Sequence, residues 1–413
     1  MFRPRAVFVT PVEPALAGNG LAMRMGIFLS ALSRFAKVDV ILVPVMGATL
    51  PPPCPSLIES IGARLHVVPT HDFIDTRYSL LMRIPDPVAR LAAFRAYAKP
   101  SLSSALSPRL LEEIALIIAD CAPDILHIGR SYLSEVVTLA PLGAVASLDL
   151  DEDDLLNFSS QAEISRQKGQ FIRAEWLAQE GRACDMSIAR YGHMFHRLFV
   201  ASDREARLLS RRHPDLNFTR ADNAIRTPSP LRRGDDGSTL LFVGSLGYQP
   251  NSEGLLWFAT HVLPRLRAIR GASPRLVIAG GGSPPEVTAL SRHPRIRLLG
   301  RVEDLGRLYR NATLALAPMR SGGGTRIKLL EAAAHGVASV FTDVAGEGLG
   351  CGIDTGGWRA KNARQFAAAC DAGLSDPAER ARRAKAGRHW VIGRYSRERV
   401  VTRLARELKA ILS

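Results

Sequence analysis

The sequence contains no uninterrupted apolar stretch of the roughly 20 residues that would read as a membrane-spanning helix. Cysteine is scarce. Cys54, Cys121, Cys184, Cys351 and Cys370 are the only five, an odd number with no two close together. This argues against a disulfide framework and a cysteine-based zinc site, and it points to a reducing compartment. The opening MFRPRAVFVT runs from two arginines straight into a β-like segment, without the apolar core or cleavage site of a secretory leader, so a cytoplasmic location is expected. Low-complexity tracts and short-period repeats are also missing. Acidic residues are in deficit, 39 against 54 Lys and Arg, a net charge of +15. The excess is mostly arginine mixed with acids along the chain. It is densest over residues 380–413, which hold 11 Lys/Arg and 2 Asp/Glu. A solvated basic surface accounts for this, as does a face for an anionic ligand or membrane lipid. Nucleic acid is not expected as a partner, because no binding module accompanies the charge.

What the chain does have is alternation. RAVFVTP is a buried strand, PVEPALAGNG a loop, LAMRMGIFLSALSRF an amphipathic helix and KVDVILVPV a second buried strand. ARLHVVP, DILHIG, AVASLDL and HRLFVAS continue as strands. SPRLLEEIALIIADCAP, a long stretch over roughly 159–187, and DREARLLSRR read as helices. This is the βαβ pattern of a doubly wound parallel sheet, expected over residues 1–222. Residues 223–238, rich in Pro, Gly, Asp and Arg, read as a linker. A second series follows over 239–392. Its strands are TLLFVGS, RLVIAGGG, IRLLG, ATLALAP and ASVFTD, and the helix after TLLFVGS has Asn251 as its expected N-cap. Residues 393–413 form a final helix with an apolar stripe through Val400, Leu404, Leu408 and Ile411. In such sheets ligands bind beyond the carboxyl ends of the strands, here expected in a cleft between the two domains.

The segment SGGGTRIKLLEAAAHG, residues 321–336, follows ATLALAP and concentrates the chemistry. Glycines after a strand let backbone amides approach a ligand, and free N–H groups at a helix start favour an anion. Gly322, Gly323, Gly324 and Thr325 would cradle a phosphate, with Arg326 and Lys328 supplying positive charge. Helical side chains lean toward the helix start, so Lys328 reaches the loop. Glu331, one turn further in, is a natural acceptor for ribose hydroxyls. Phosphate and sugar together describe a nucleotide. The plain alternative is an ordinary strand–helix loop carrying a surface Lys–Glu pair.

GGGTRIKLLEAAAHG with TDVAGEGLG resembles the donor-binding segment of family 4 glycosyltransferases (glycosyl transferases group 1), retaining enzymes of the GT-B fold. LLFVGSLGYQPNSEGLLWFATHVLPRL and RIRLLGRVEDLGRLYRNATLALAP resemble other parts of that family's C-terminal domain. PDILHIGR, SLDLDEDD and PALAGNGLAMR resemble landmarks of its N-terminal domain. The resemblance implies two Rossmann-like domains facing a central cleft, with the C-terminal helix crossing back to the N-terminal domain. It implies a hexosyl-type, nucleotide-sugar-dependent transferase acting without metal or other cofactor. The acceptor would be a glycan or lipid-linked precursor of a cell-surface polysaccharide or glycolipid. Carried over, Gly322–Gly324, Thr325, Gly244 and Ser245 meet the diphosphate, with Arg326 or Lys328 as its counter-charge. Glu331 meets the ribose, Arg301 and Val302 meet the base, and Gly346, Glu347, Gly348 and Leu349 line the donor pocket. Gly18 and Gly20 close over the reacting centre, with Arg24 on the following helix and His127 near the sugar.

Two departures stand out. Many members carry two glutamates eight positions apart, and the first falls here on Gly323. Many place an Arg and a Lys in the loop after the first strand of the C-terminal domain, which here reads Gly244, Ser245, Leu246, Gly247. Arg326 and Lys328 then carry the phosphate charge instead. DLDEDD (149–154) imitates an Asp-x-Asp metal motif, but the second α/β domain favours an acidic strand-end loop, with Asp149 facing the cleft. His193 and His196 have no third ligand in view and read as surface or core residues. The basic final helix is expected to pack on the N-terminal domain, with peripheral membrane contact as its alternative role. A nucleotide-sugar epimerase and a catalytically silent nucleotide-binding module remain as alternative functions.

Overall fold

The computed structural model describes residues 3–17, 20–45, 56–70, 75–229, 234–266, 273–322, 327–350 and 352–412. They form two compact units. The first comprises Met1–Ala224 with Glu398–Ser413, the second Ile225–Arg397.

The sheet of the first unit is built from β1 (Arg5–Thr10), β2 (Lys37–Leu42), β3 (Arg64–Val67), β4 (Ile125–Gly129), β5 (Val145–Asp151), β6 (Arg197–Val200) and β7 (Phe218–Arg220). Its order is β3-β2-β1-β4-β5-β6-β7, and the strands pair in parallel. Successive side chains of a strand point to opposite faces. Val7 and Val9 accordingly join one core with Ile114, Ile118, Leu126 and Ile128, while Ala6 and Phe8 join another with Phe28, Val40, Val400 and Leu404. Burial on both faces is why these strands read as unbroken apolar runs. The final helix, Arg397–Lys409, buries Val400, Val401, Leu404, Ala405 and Leu408 in this second core.

The second unit contains β8 (Thr239–Val243), β9 (Arg275–Ala279), β10 (Ile296–Leu298), β11 (Leu314–Ala317), β12 (Ser339–Thr342) and β13 (Gly357–Ala360). They lie in the order β10-β9-β8-β11-β12-β13, also parallel. From β8 the chain winds outward through β9 and β10, then returns to β11 on the other side and winds outward again. The point where the direction reverses lies between β8 and β11, the position where doubly wound sheets bind ligands.

Several local expectations change. The stretch 159–187 is two helices, Asp154–Gln167 and Phe171–Tyr191, broken at Gly169, whose φ of 72° only glycine adopts readily. Asn251 is not an N-cap. The helix starts at Gln249 behind Tyr248, with Pro250 in its first turn. Helices Thr76–Met82, Pro87–Tyr97, Ala363–Ser375 and Pro377–Tyr395 and the short strands β7 and β13 add to the elements read from the sequence. Asn362 and Asp376 cap two of these helices by accepting hydrogen bonds from the amides of Gln365 and Glu379.

Candidate functional site

The second unit brings chemistry to the reversal point from both sides. β8 ends at Val243, and Gly244, Ser245 and Leu246 turn over its carboxyl end. The turn packs against Gly280, at the end of β9, where no side chain fits. A Cβ at Gly280 would lie 1.8 Å from the Gly244 carbonyl oxygen, and the Leu246 amide donates to Gly281 at 2.8 Å. On the other side, β11 runs through Pro318–Gly322 toward the Ile327–Ala334 helix. Gly322 has φ 100°, a conformation open only to glycine. Gly323, Gly324, Thr325 and Arg326 lie outside the described residues.

Lys328 crosses the reversal point. Its Nζ donates to Asn251 Oδ1 at 2.5 Å, lies 3.5 Å from Met319 Sδ and sits 4.4 Å above the Phe242 ring. Asn251 in turn donates through Nδ2 to the Ser245 carbonyl at 2.7 Å. A Cβ at Gly244 would stand 3.0 Å from both the lysine amine and Asn251 Nδ2. The amine therefore reaches the loop where the sequence lacks its own Arg or Lys, in the space a bare glycine leaves there.

Glu331 lies one helical turn beyond Lys328. Tyr309, buried in the Leu305–Asn311 helix and stacked on His335 at 4.6 Å, donates to Glu331 Oε2 over a long 3.4 Å. Burial pushes the carboxyl up to about 7, against the opposing effects of Tyr309 and Lys328. Around the same edge, Arg301 is exposed and Val302 half-buried after β10, and the Gly281 Cβ position is 3.8 Å from Arg301 Cβ. After β12, Gly346 is buried, Glu347 exposed and Gly348 turned at φ 78°. Leu349 points into the core instead of lining a surface. Lys328, Glu331, Gly244, Ser245, Arg301, Val302, Gly322, Gly346, Glu347 and Gly348 are thus at one end of one sheet.

The expected residues of the first unit behave differently. His127 is enclosed in the middle of β4, stacked on Phe28 at 4.5 Å and near Phe8 at 5.1 Å, with Nδ1 2.8 Å from Ser147 Oγ. Burial, with Arg24 nearby, pushes it down to about 3, so it is neutral. A ring with no solvent contact cannot meet a sugar, and the role expected of His127 is withdrawn. Arg24 is also buried. Its Nε and Nη2 donate to both oxygens of Asp149 at 2.7 and 2.6 Å, and Nη1 donates to the Ala221 carbonyl at 2.9 Å. Burial would lower its pKa, but Asp149 and Asp151 outweigh that and hold it above its ordinary value. Arg24 and Asp149 clamp each other, and neither faces a ligand. Gly20 is exposed at the start of the Gly20–Leu32 helix, and Gly18 lies outside the described residues.

The acidic loop is an ion network. Arg130 donates to Asp154 at 3.0 Å and to the Leu150 carbonyl, and Arg212 forks onto both oxygens of Asp153 at 3.0 and 2.9 Å. Arginines therefore hold the positions a cation would take there. Among the described residues one cluster has metal-ligand types, Asp39, His66 and Cys121, mutually within 4.8 Å. Arg64 already donates to Asp39 there at 2.6 Å.

Sequence reasoning missed Asn251 as the partner of Lys328 and Tyr309 as the partner of Glu331. The signal for Asn251 was its place in the first turn after a Gly-Ser loop. For Tyr309 it was an aromatic on the inner face of a short helix.

Residues 237–376, which carry this site, match the family model of glycosyl transferases group 1. The match takes in about a third of the chain and most of the second unit. Solved structures agree on the whole fold. Sucrose-phosphate synthase from Thermosynechococcus elongatus superposes with a TM-score of 0.70 at 14% identity, covering 98% of this chain and 99% of that one. A glycosyltransferase from Rickettsia africae gives 0.62 at 13%, covering all of both chains. Anabaena HepE, in complex with UDP and glucose, gives 0.63 at 12%, covering 98% and 100%. The fold is GT-B, two parallel α/β units. Comparison with curated protein sequences gave no match.

Proposed function

We propose that the protein transfers a sugar, with retention of anomeric configuration, from a nucleoside-diphosphate sugar to a glycan or lipid-linked acceptor of cell-surface polysaccharide or glycolipid synthesis. The observation that carries the reading is the reversal point of the second unit's sheet. There a glycine turn, the Lys328 amine and the Glu331 carboxylate converge on the carboxyl edge of β8 and β11. A nucleotide fits these groups. Its diphosphate would meet backbone amides and Lys328, and its ribose hydroxyls would donate to Glu331. In the transition state the leaving diphosphate gains negative charge, which a fixed amine and backbone N–H groups stabilise without reorganising. This makes a metal unnecessary in the proposed mechanism, and front-face attack lets the leaving phosphate accept the acceptor's proton. No carboxylate nucleophile is then needed. A hexosyl donor is the expected class, and UDP is the first nucleotide to test, because HepE is seen with UDP and glucose.

The test begins with thermal unfolding in UDP, GDP, ADP and CMP, with and without EDTA. Binding to the folded state raises the transition by mass action, roughly 2.7 kcal/mol at a hundredfold excess over Kd. A shift with one diphosphate that survives EDTA, followed by acceptor-dependent release of that diphosphate, is the expected result. Binding with turnover of the nucleotide sugar in the absence of any acceptor would instead indicate an epimerase. Binding with no turnover would indicate a silent module.

A further inference from the structure

The apolar stripe of the final helix is covered by the first unit's own core, so a membrane contact cannot use it. A different surface fits that role. The Pro87–Tyr97 helix lies along the Phe171–Tyr191 helix. Phe94 stacks on Trp176 at 4.2 Å, and just past the end of the first helix the Ser101 amide donates to Glu180, one turn further along the second. Both helices therefore run in the same sense. At 1.5 Å per residue their starts, Pro87 and Phe171, lie at one end of the unit. The turn after Met82 leads into the first helix. Arg166, before the turn into the second, reaches Glu175, which also accepts from Arg95. Two helical turns thus form a single projecting end.

Large apolar side chains are exposed on this end. Phe171 is 67% exposed, Val88 62%, Met82 43% and Ile172 41%, and Phe171 is the one phenylalanine so exposed among the described residues. Nothing in a water-facing helical turn stabilises such a group. Around them the segments 82–95 and 163–175 carry Arg83, Arg90, Arg95, Arg166, Lys168 and Arg173 against Asp86, Glu163 and Glu175. Projecting apolar tips ringed by excess cations match the interface of an anionic bilayer, where apolar groups enter the headgroup boundary and cations meet phosphates. The excess of cations over acids around the apolar tips is the charge complement of anionic phosphates.

We propose that this end of the first unit docks on an anionic membrane surface, with Phe171 and Ile172 entering the headgroup layer and Arg83, Arg90 and Arg173 facing the phosphates. The test is co-sedimentation of the full chain with vesicles of phosphatidylcholine alone and of phosphatidylcholine with phosphatidylglycerol, at 0.1 and 0.5 M NaCl. The wild type is expected to pellet with the anionic vesicles only and to be released by salt. Phe171→Asp with Ile172→Asp should weaken partition at least tenfold, and Arg83→Glu with Arg90→Glu by a similar factor, at roughly fivefold per cation. All four positions are exposed or half-buried at the surface, so the unfolding temperature should stay unchanged. The proposal is overturned if the wild type ignores anionic vesicles or if the Phe171→Asp, Ile172→Asp variant binds them as well as the wild type. It is equally overturned if light scattering shows a dimer that Phe171→Asp dissociates, because the occupant is then a second copy.

Discussion

Lys328 and Glu331 sit one turn apart, yet each is held by a different neighbour, and those neighbours decide what each can do. The lysine amine is aimed across the β8–β11 reversal by Asn251 and by the absence of a side chain at Gly244. Gly244→Ala puts a Cβ 3.0 Å from that amine, which can swing away at little cost because it ends a flexible side chain. The variant should unfold within about 1 °C of the wild type yet bind the nucleotide diphosphate roughly fivefold more weakly. Lys328→Ala removes the charge itself and should cost roughly 10–100-fold, the worth of a charge-assisted hydrogen bond. Calorimetric titration of both variants checks this, and unchanged affinity in Lys328→Ala would remove the lysine from the phosphate site. Glu331 makes the converse case. Burial raises it to about 7, well above an unfolded carboxyl. Below the unfolded value, near 4.5, both states hold the proton and the group costs nothing. Between about 4.5 and 7 the unfolded chain releases the proton while the folded state keeps it, so stability falls across that window and stays reduced above 7. Glu331→Gln should therefore unfold like the wild type at pH 4 and be more stable at pH 8, on the order of 2 kcal/mol. Nucleotide affinity of the wild type should move the other way, rising between pH 6 and 8 as the carboxylate becomes an acceptor for the ribose. A stability gain in Glu331→Gln that is the same at both pH values would show that the carboxyl titrates normally.

At the scale of elements, the sequence is legible where one periodicity dominates. β1 buries both faces and reads as an apolar run, and Pro108–Cys121 announces itself by Ser107 capping the Leu110 amide with a proline in the first turn. The turn after β8 and the Ile327–Ala334 helix were readable for the same reason, because glycines and charges there interrupt an apolar pattern. What stayed hidden depends on partners far along the chain. His127 looks like a strand-end histidine, and only Phe8, Phe28 and Phe199 packed around it make it a core residue. Asp149 and Arg24 are 125 positions apart, and no local pattern predicts that they neutralise each other. The acidic loop shows the same limit, since spacing alone suggested a metal motif and the arginines that occupy it come from elsewhere. Arg130 is the element-level test of that reading. It ties the end of β4 to Asp154 and the Leu150 carbonyl. Arg130→Ala leaves buried carboxylates without their counter-charge, which typically costs about 3–5 kcal/mol. Chemical denaturation should show a loss of that size, whereas a metal-binding loop would instead gain affinity for divalent cations when the arginine is removed.

For the whole molecule, the strong positive charge has a structural use before any functional one. In the basic block near the C-terminus, Arg388 donates to the Ala334 carbonyl at the end of the Ile327–Ala334 helix and to Pro228. Arg380 donates to Gly373 at 2.7 Å, and Arg403 pairs with the buried Asp222. Cations at helix ends satisfy the last carbonyls and oppose the helix dipole. Within this block the arginines Arg380, Arg388 and Arg403 therefore serve the fold, and the chain's final segment is a structural part of the unit where the chain began. Each unit has its own hydrophobic packing, and the core that Phe28 and Phe199 share with Val400, Leu404 and Leu408 draws on both ends of the sequence and its middle. This organisation predicts how the protein melts. Leu404→Ala with Leu408→Ala opens cavities in the first unit, each worth about 2–5 kcal/mol. A nucleoside diphosphate would act on the second unit, which carries the proposed donor site. In differential scanning calorimetry the double variant should lower one transition, and saturating ligand should raise the other by the same increment as in the wild type. If both perturbations instead move a single transition, the two cores unfold together, and the stability of the proposed donor site depends on the helix that closes the first unit.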